Sequence, residues 1–220
     1  MGIAADAGSD QDLQERMAHD LNLAHRVLSQ QRQDKDKIYP IHAPEVEFIS
    51  KGKAHKRYEF GVKASFATTN KQGFVVGARS YPHNPYDGHT LEDQLQQAET
   101  LTGVKPERCY VDRGYRGHGI TRTKVFISGQ RRGVTPTIKK ELKRRSAIEP
   151  EIGHMKNDGH LGRCYLKGRD GDAMNVLLVA CGHNLRKLLA WLRAFVPKMA
   201  ERVLACLLRL QMLGAHGAAV

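Results

Sequence analysis

Two stretches of alternating apolar and polar residues, 58–69 and 73–81, face each other across the turn-forming run Asn70-Lys71-Gln72-Gly73. Period-two alternation rich in aromatic and β-branched residues, interrupted by Asn and Gly, predicts an antiparallel hairpin. A hairpin is not stable alone and must bury one face against something else. The chain supplies that cover downstream. PHNPYDGHT reads as a loop whose Thr90 caps a helix beginning at Leu91, with Glu92 and Asp93 in its first turn and Gly103 at its end. A short buried strand, 109–111, stops at Asp112, and a second short strand follows at 124–128. Residues 135–155 read as a basic helix with Pro136 in its first turn and Pro150 kinking or dividing it. The order strand, strand, helix, strand, strand, helix is an α/β pattern with a mixed sheet.

The ends differ from this middle. Residues 1–37 are polar, with a weak helical pattern at Leu13, Met17, Leu21, Leu23 and Leu28 that ends in the charged run 33–37. After the glycine-rich basic loop 157–171, the chain closes on a long amphipathic helix or helix pair, with Pro197 as the natural break. Its broad stripe of Leu177, Leu178, Leu185, Leu188, Leu189, Leu192 and Phe195 is better explained by core packing than by a helix-turn-helix. We therefore divide the chain into a polar helical lead-in (1–37), a central unit (38–195) and a helical tail (196–220).

Charge narrows the function. Of the 220 residues, 35 are Lys or Arg and 23 are Asp or Glu, giving +12. Residues 113–169 alone hold 15 basic and 4 acidic groups, so nearly all the excess sits in that segment. Such focusing predicts a polyanionic partner, nucleic acid first. The start lacks the charged and apolar regions of a secretory signal. No run approaches the ~20 apolar residues of a membrane span. Four widely spaced cysteines, with no C-x-x-C pair, argue against a disulfide framework or zinc ribbon and fit free thiols in the cytoplasm. The histidines (His89, His118 and His154 among them) show no zinc-binding spacing.

Two carboxylates stand out. Asp112 ends a buried strand and is followed by Arg113-Gly114-Tyr115-Arg116-Gly117, a place where α/β sheets put ligands and where arginines read phosphate. It serves chemistry or simply caps the next turn. Glu149 is one of few acids among Lys139, Lys140, Lys143, Arg144, Arg145 and Lys156. On a continuous helix Arg145, Glu149 and Lys156 share one face, and the plainer reading is a surface pair of Glu149 with Arg145. Carboxylates on separate elements, each ringed by cations, suit metal-assisted phosphodiester chemistry.

The segments KGKAHKRYEFGVK, NPYDGHTL, YVDRGYRGH, RRSAIEPEIGHMKNDGHLGRCYLKG and GDAMNVLLVACGHNLRKLL, in this order, resemble bacterial insertion-sequence transposases of the DDE type. The resemblance covers about residues 38–195. It implies a ribonuclease-H-like mixed sheet flanked by helices and two Mg²⁺ (or Mn²⁺) ions held by an Asp, Asp, Glu triad. Asp112 matches the second aspartate and Glu149 the glutamate. The signature Y-x2-R-x3-E-x6-K is met at Arg145, Glu149 and Lys156, with Leu142 in place of its tyrosine. Arg113, Arg116, Arg145, Lys156, Arg163 and Lys167 then contact phosphate of double-stranded DNA, at transposon ends and target.

The family's first aspartate lies on an opening strand ahead of the KGKAHKRYEFGVK motif, and nothing in 1–37 matches it. Asp6, Asp10 and Asp12 lie in polar sequence, and Asp87 of NPYDGHTL is expected to cap a helix rather than bind metal. The resemblance thus predicts a C-terminal portion of the catalytic core, with a sheet incomplete at its N-terminal side and doubtful activity alone. A non-catalytic DNA-binding remnant or inhibitor, pairing with itself or with intact transposase, is the alternative. A cellular ribonuclease-H-like nuclease is the third reading.

Overall fold

In the computed structural model, residues 6–50 and 57–217 are described, and strands and helices intermix along the chain as the sequence predicts. Residues 51–56 of the KGKAHKRYEFGVK motif lie outside the described residues. Helix α1 (Asp6–Ser29) comes first, then strands β1 (Glu47–Ser50), β2 (Tyr58–Gly61), β3 (Lys63–Thr68) and β4 (Val75–Tyr81). Helix α2 (Asp87–Thr102), strands β5 (Arg108–Val111) and β6 (Lys124–Ile127), and helices α3 (Pro136–Arg145), α4 (Ile148–Asn157) and α5 (Gly168–Gly217) complete the order.

The expected hairpin forms between β3 and β4, but the strand expected over 58–69 is two strands. Gly61 sits at φ +148°, a conformation open to glycine and hostile to L side chains. The chain breaks there, and β2 turns away to pair antiparallel with β1, Phe48 opposite Phe60. The strands accordingly form three two-stranded sheets, β1–β2, β3–β4 and β5–β6, of which the last is parallel. No ladder joins β3 to β5 among the described residues.

Between those two strands lies a cleft of about 580 Å³, walled by β3, by residues 108–112 and by Leu91, Leu95 and Ala98 of α2. β3 meets β4 on one side only and β5 meets β6 on one side only, so both turn an unpaired edge toward the cleft. The opposite edge of the hairpin is closed. The Asn184 side-chain amide of α5 accepts from the Val75 N–H and donates to its carbonyl, both at 2.8 Å. Gln97 of α2 does the same for Ala78, at 2.8 and 3.2 Å. Side-chain amides thus stand in for a neighbouring strand along β4, which blunts edge-to-edge pairing there.

Two small cores flank the cleft. In one, Val75 and Ala78 pack on Met155 of α4 and on Val176, Val179 and Ala180 of α5. In the other, Leu91 and Leu95 of α2 cover Val111, with Cys109 and Tyr115 against them. Burial there pushes the Cys109 thiol up to about 11, whereas Cys181 on α5 is exposed. Iodoacetamide at mildly alkaline pH is therefore expected to alkylate Cys181 at least ~10-fold faster than Cys109, since the thiolate is the nucleophile. Equal rates by peptide mapping would show that β5 is not packed as described.

Four further expectations change. α2 starts before Thr90, with Tyr86 at its N-cap, and the Thr90 hydroxyl instead donates to the Asp87 carbonyl at 2.8 Å. The 135–155 helix is divided as Pro150 allowed, but the break falls at Ser146-Ala147. Thr135 caps α3 by accepting from the Ile138 N–H, and Pro150 sits in the first turn of α4, where its missing N–H costs nothing. Pro197 does not break the terminal helix, for α5 continues through it. Finally, the stripe assigned to core packing is exposed. Leu177, Leu178, Leu185, Leu188, Leu189, Leu192 and Phe195 face outward, while Val176, Val179, Ala180 and His183 form the buried face of α5.

Candidate active site

The site grows from the C-terminal end of β5. Val111 is buried under α2, and the chain then leaves the strand at Asp112 into a 3-10 turn, Arg113–Tyr115. Asp112 Oδ1 accepts from the Gly114 N–H at 2.8 Å, so the plain capping role is fulfilled. The same side chain is exposed to solvent and lines the mouth of the cleft.

Asp87 is brought to the same place. A Cβ built on Gly114 would stand 2.7 Å from Asp87 Oδ2 and 3.1 Å from Asp112 Oδ1. Only glycine lets the two carboxylates approach this turn from both sides. Asp87 does not cap α2 as expected, since α2 has no side-chain cap. Its Oδ1 is instead 2.5 Å from the Lys63 ammonium, which also donates to the Pro85 carbonyl. Tyr115 lies beneath. Burial pushes its phenol above the usual range, and the negative Asp87 and Asp112 add to that, against a hydrogen bond with Ser65. The signal for Asp87 lay in the quoted NPYDGHTL motif. That Lys63 closes on it required the hairpin and α2 to be placed first.

Glu149 lies elsewhere. It stands in the first turn of α4 with its side chain 70% exposed, 3.4 Å from Arg145 Nη2 across the α3–α4 break. It does not line the cleft, whereas Arg145, Ile148 and Glu151 do. The expected common face of Arg145, Glu149 and Lys156 is not formed, because the helix is interrupted; Lys156 reaches Glu59 of β2 at 3.5 Å instead. Sequence reasoning passed over Glu151, which is 2.7 Å from Lys187 and 3.3 Å from buried His183 Nε2. It also passed over Glu141. That carboxylate accepts from the Tyr110 hydroxyl and pairs with Arg108 at 3.1 Å, fastening α3 to β5. Burial and the Glu141 hydrogen bond push Tyr110 up to about 12.

The cations expected to meet phosphate are mostly at the surface. Arg113 lays its guanidinium over Gly129, in the loop after β6. Arg116, Arg163 and Lys167 are exposed, with Arg163 stacked 5.1 Å above the Tyr165 ring. Lys139, Lys140 and Lys143 of α3 are exposed as well. Among the histidines, His154 pairs with Asp158 at 3.0 Å and His118 accepts from the Ile120 N–H. Among the described residues no group of three or more His, Cys, Asp or Glu is arranged to hold a metal ion. Nor is any helix among them long and apolar enough to cross a membrane.

Residues 105–189, from the strand before Asp112 into the buried part of α5, match the family model described as "Transposase DDE domain". No curated protein and no solved structure matches the chain.

Proposed function

We propose, from the match of residues 105–189 to the family model described as "Transposase DDE domain", that the chain takes part in DNA transposition from the cytoplasm, in the divalent-metal-dependent cleavage and strand transfer of double-stranded insertion-sequence ends, which its own carboxylates do not complete. The observation that carries this reading is the exposed Asp112 at the end of β5, beside Asp87 and next to Arg113 and Arg116. In this reading β3–β4 and β5–β6 are the two sides of one ribonuclease-H-like sheet, and the cleft is the seat of an extended strand between them.

The donor chemistry at the turn suits a hard cation. Mg²⁺ takes a few carboxylate oxygens with water and phosphate oxygens around them, and the carboxylates of Asp112, on the turn, and Asp87, at the start of α2, both approach Gly114. Asp112 would hold an ion there, with Asp87 as a further ligand once Lys63 lets go; Glu149, the other ligand the resemblance implies, would have to come in from outside the cleft lining. Bound there, Mg²⁺ supplies polarisation of the phosphoryl oxygens and a more acidic attacking water or hydroxyl. The rest falls to the chain. Asp112 is oriented by the Gly114 N–H, Arg113 and Arg116 fix the phosphodiester by charge-assisted bonds, and Arg145, Lys156, Arg163 and Lys167 extend the track. A second reading, a DNA-binding protein without catalysis, draws on Glu149 lying outside the cleft lining.

Photo-crosslinking tests the premise shared by both. A duplex carrying 5-iodouracil is expected to couple to peptides within residues 113–169, mapped by mass spectrometry after digestion. Crosslinks confined to other segments would overturn the assignment of the DNA-binding face.

A further inference from the structure

The exposed stripe of α5 has no partner within the chain, yet its spacing is that of a helix-packing seam. Leu185, Leu188, Leu192, Phe195 and Met199 follow one another at intervals of three and four, and Trp191 stacks on Phe195 at 4.9 Å. An a/d alternation of this kind presents a continuous apolar ridge to another helix. Every one of these side chains is well exposed. Helix α1 shows the matching problem. Its inner side is anchored by buried Leu23 and by the Gln30 amide, which bonds both backbone groups of Ile38. Its outer side leaves Leu13, Met17, Leu21 and Leu28 in solvent, Leu28 at 86% exposure.

The charges of the two stripes are opposite. Helix α1 carries five acidic and two basic side chains. Residues 188–205 of α5 carry Arg193, Lys198 and Arg202 against Glu201. Lys198 falls to one side of the α5 stripe and Asp20 beside that of α1 when 100° is allotted to each residue. Lengths agree as well, for at a rise of about 1.5 Å per residue both stripes run for ~20–30 Å.

We propose that α1 of one copy of the chain packs on the 185–204 stretch of α5 in a second copy, reciprocally, to form a two-fold dimer. A two-fold arrangement uses each stripe once and leaves neither open. Pairing of α5 with α5 would bring like charges together, and the apolar sides of α1 and α5 are both exposed, so neither covers the other within the chain. The inference is independent of catalysis and of DNA, and stands or falls without them.

Sedimentation velocity of the full chain at micromolar concentration is expected to give a species of twice 24.6 kDa. Leu13→Glu with Met17→Glu, and separately Leu188→Glu with Leu192→Glu, should each weaken association ~100-fold, since both bury unpaired carboxylates in the seam. Far-UV circular dichroism should be unchanged, because all four positions are exposed. Mixing the two double variants should restore a dimer, through the intact α1 of one and the intact α5 of the other. A monomeric wild-type chain overturns the proposal, as does a dimer that survives the α1 substitutions, which would mean α5 pairs with itself. Flotation of a monomeric chain with anionic vesicles would assign the face to lipid instead.

Discussion

The affinity for a labelled duplex should fall by ~10³-fold or more as salt rises from about 50 to 200 mM, as expected when six or more phosphates are neutralised. Exposed cations are numerous enough for this. Arg113, Arg116, Arg163 and Lys167 lie at the surface, and Lys139, Lys140 and Lys143 add three from α3. The six positions marked by the sequence are not equivalent, however. Arg145 is paired with Glu149, and Lys156 with Glu59. A cation that already has a carboxylate partner releases fewer counterions on meeting phosphate. Replacing Lys139, Lys140 and Lys143 together by Ala should lower the slope of log affinity against log salt by up to ~3, whereas Lys156→Ala should change it by well under ~1. Fluorescence anisotropy across a salt series reads both. A salt-independent affinity, or a Lys156→Ala effect as large as that of Arg116→Ala, would sink the basic-surface argument.

Local signals carried much of the fold. The hairpin, the short strands ending near Val111 and Ile127, the Gly103 helix end and the Thr135-Pro136 helix start all follow from residues within a few positions of each other. What was not legible depended on distant groups or on a choice between near-equal local options. Gly61 was read as part of a strand because alternation continues through it, and only the backbone shows the turn away toward β1. Asn184 and Gln97 look like ordinary polar helix residues, yet they close the edge of β4 from partners about a hundred and about twenty residues away respectively.

The same division holds at the site. Asp112 was legible because strand, carboxylate and glycines are contiguous. The apposition of Asp87 to it required α2 to begin at Asp87 rather than at Leu91, a boundary set by tertiary packing and not by the capping preference of Thr90. The α5 stripe shows the converse error. Periodicity reports that a helix has an apolar side, but not whether that side meets its own chain or another.

With Mg²⁺ or Mn²⁺ the 220-residue chain is expected to leave duplex DNA uncut, and the reason is electrostatic and geometric. Asp112 and Glu149 offer a charge of about −2 against the +4 of two magnesium ions, while Arg113, Arg116 and Arg145 add like charge nearby. Asp87 is close to Asp112, but its charge is taken up by Lys63. Glu149 does not line the cleft that Asp112 borders. Two-metal chemistry needs carboxylates held to fractions of an ångström, and the arrangement here leaves one of them outside. In the proposed reading, an extended strand seated between β3 and β5 and carrying an aspartate level with Asp112 would add a third carboxylate and bridge the two separate sheets. Fusing such a strand to the chain should bring out strand cleavage on a supercoiled plasmid. Asp112→Asn or Glu149→Gln in that fusion should then lower the rate by ~10³-fold, equivalent to ~4 kcal/mol of barrier. Cleavage that survives both substitutions would show that the reacting carboxylates are others. Cleavage by the unfused chain that disappears with Asp87→Asn would make Asp87 the third ligand, with Lys63 the cation that leaves it.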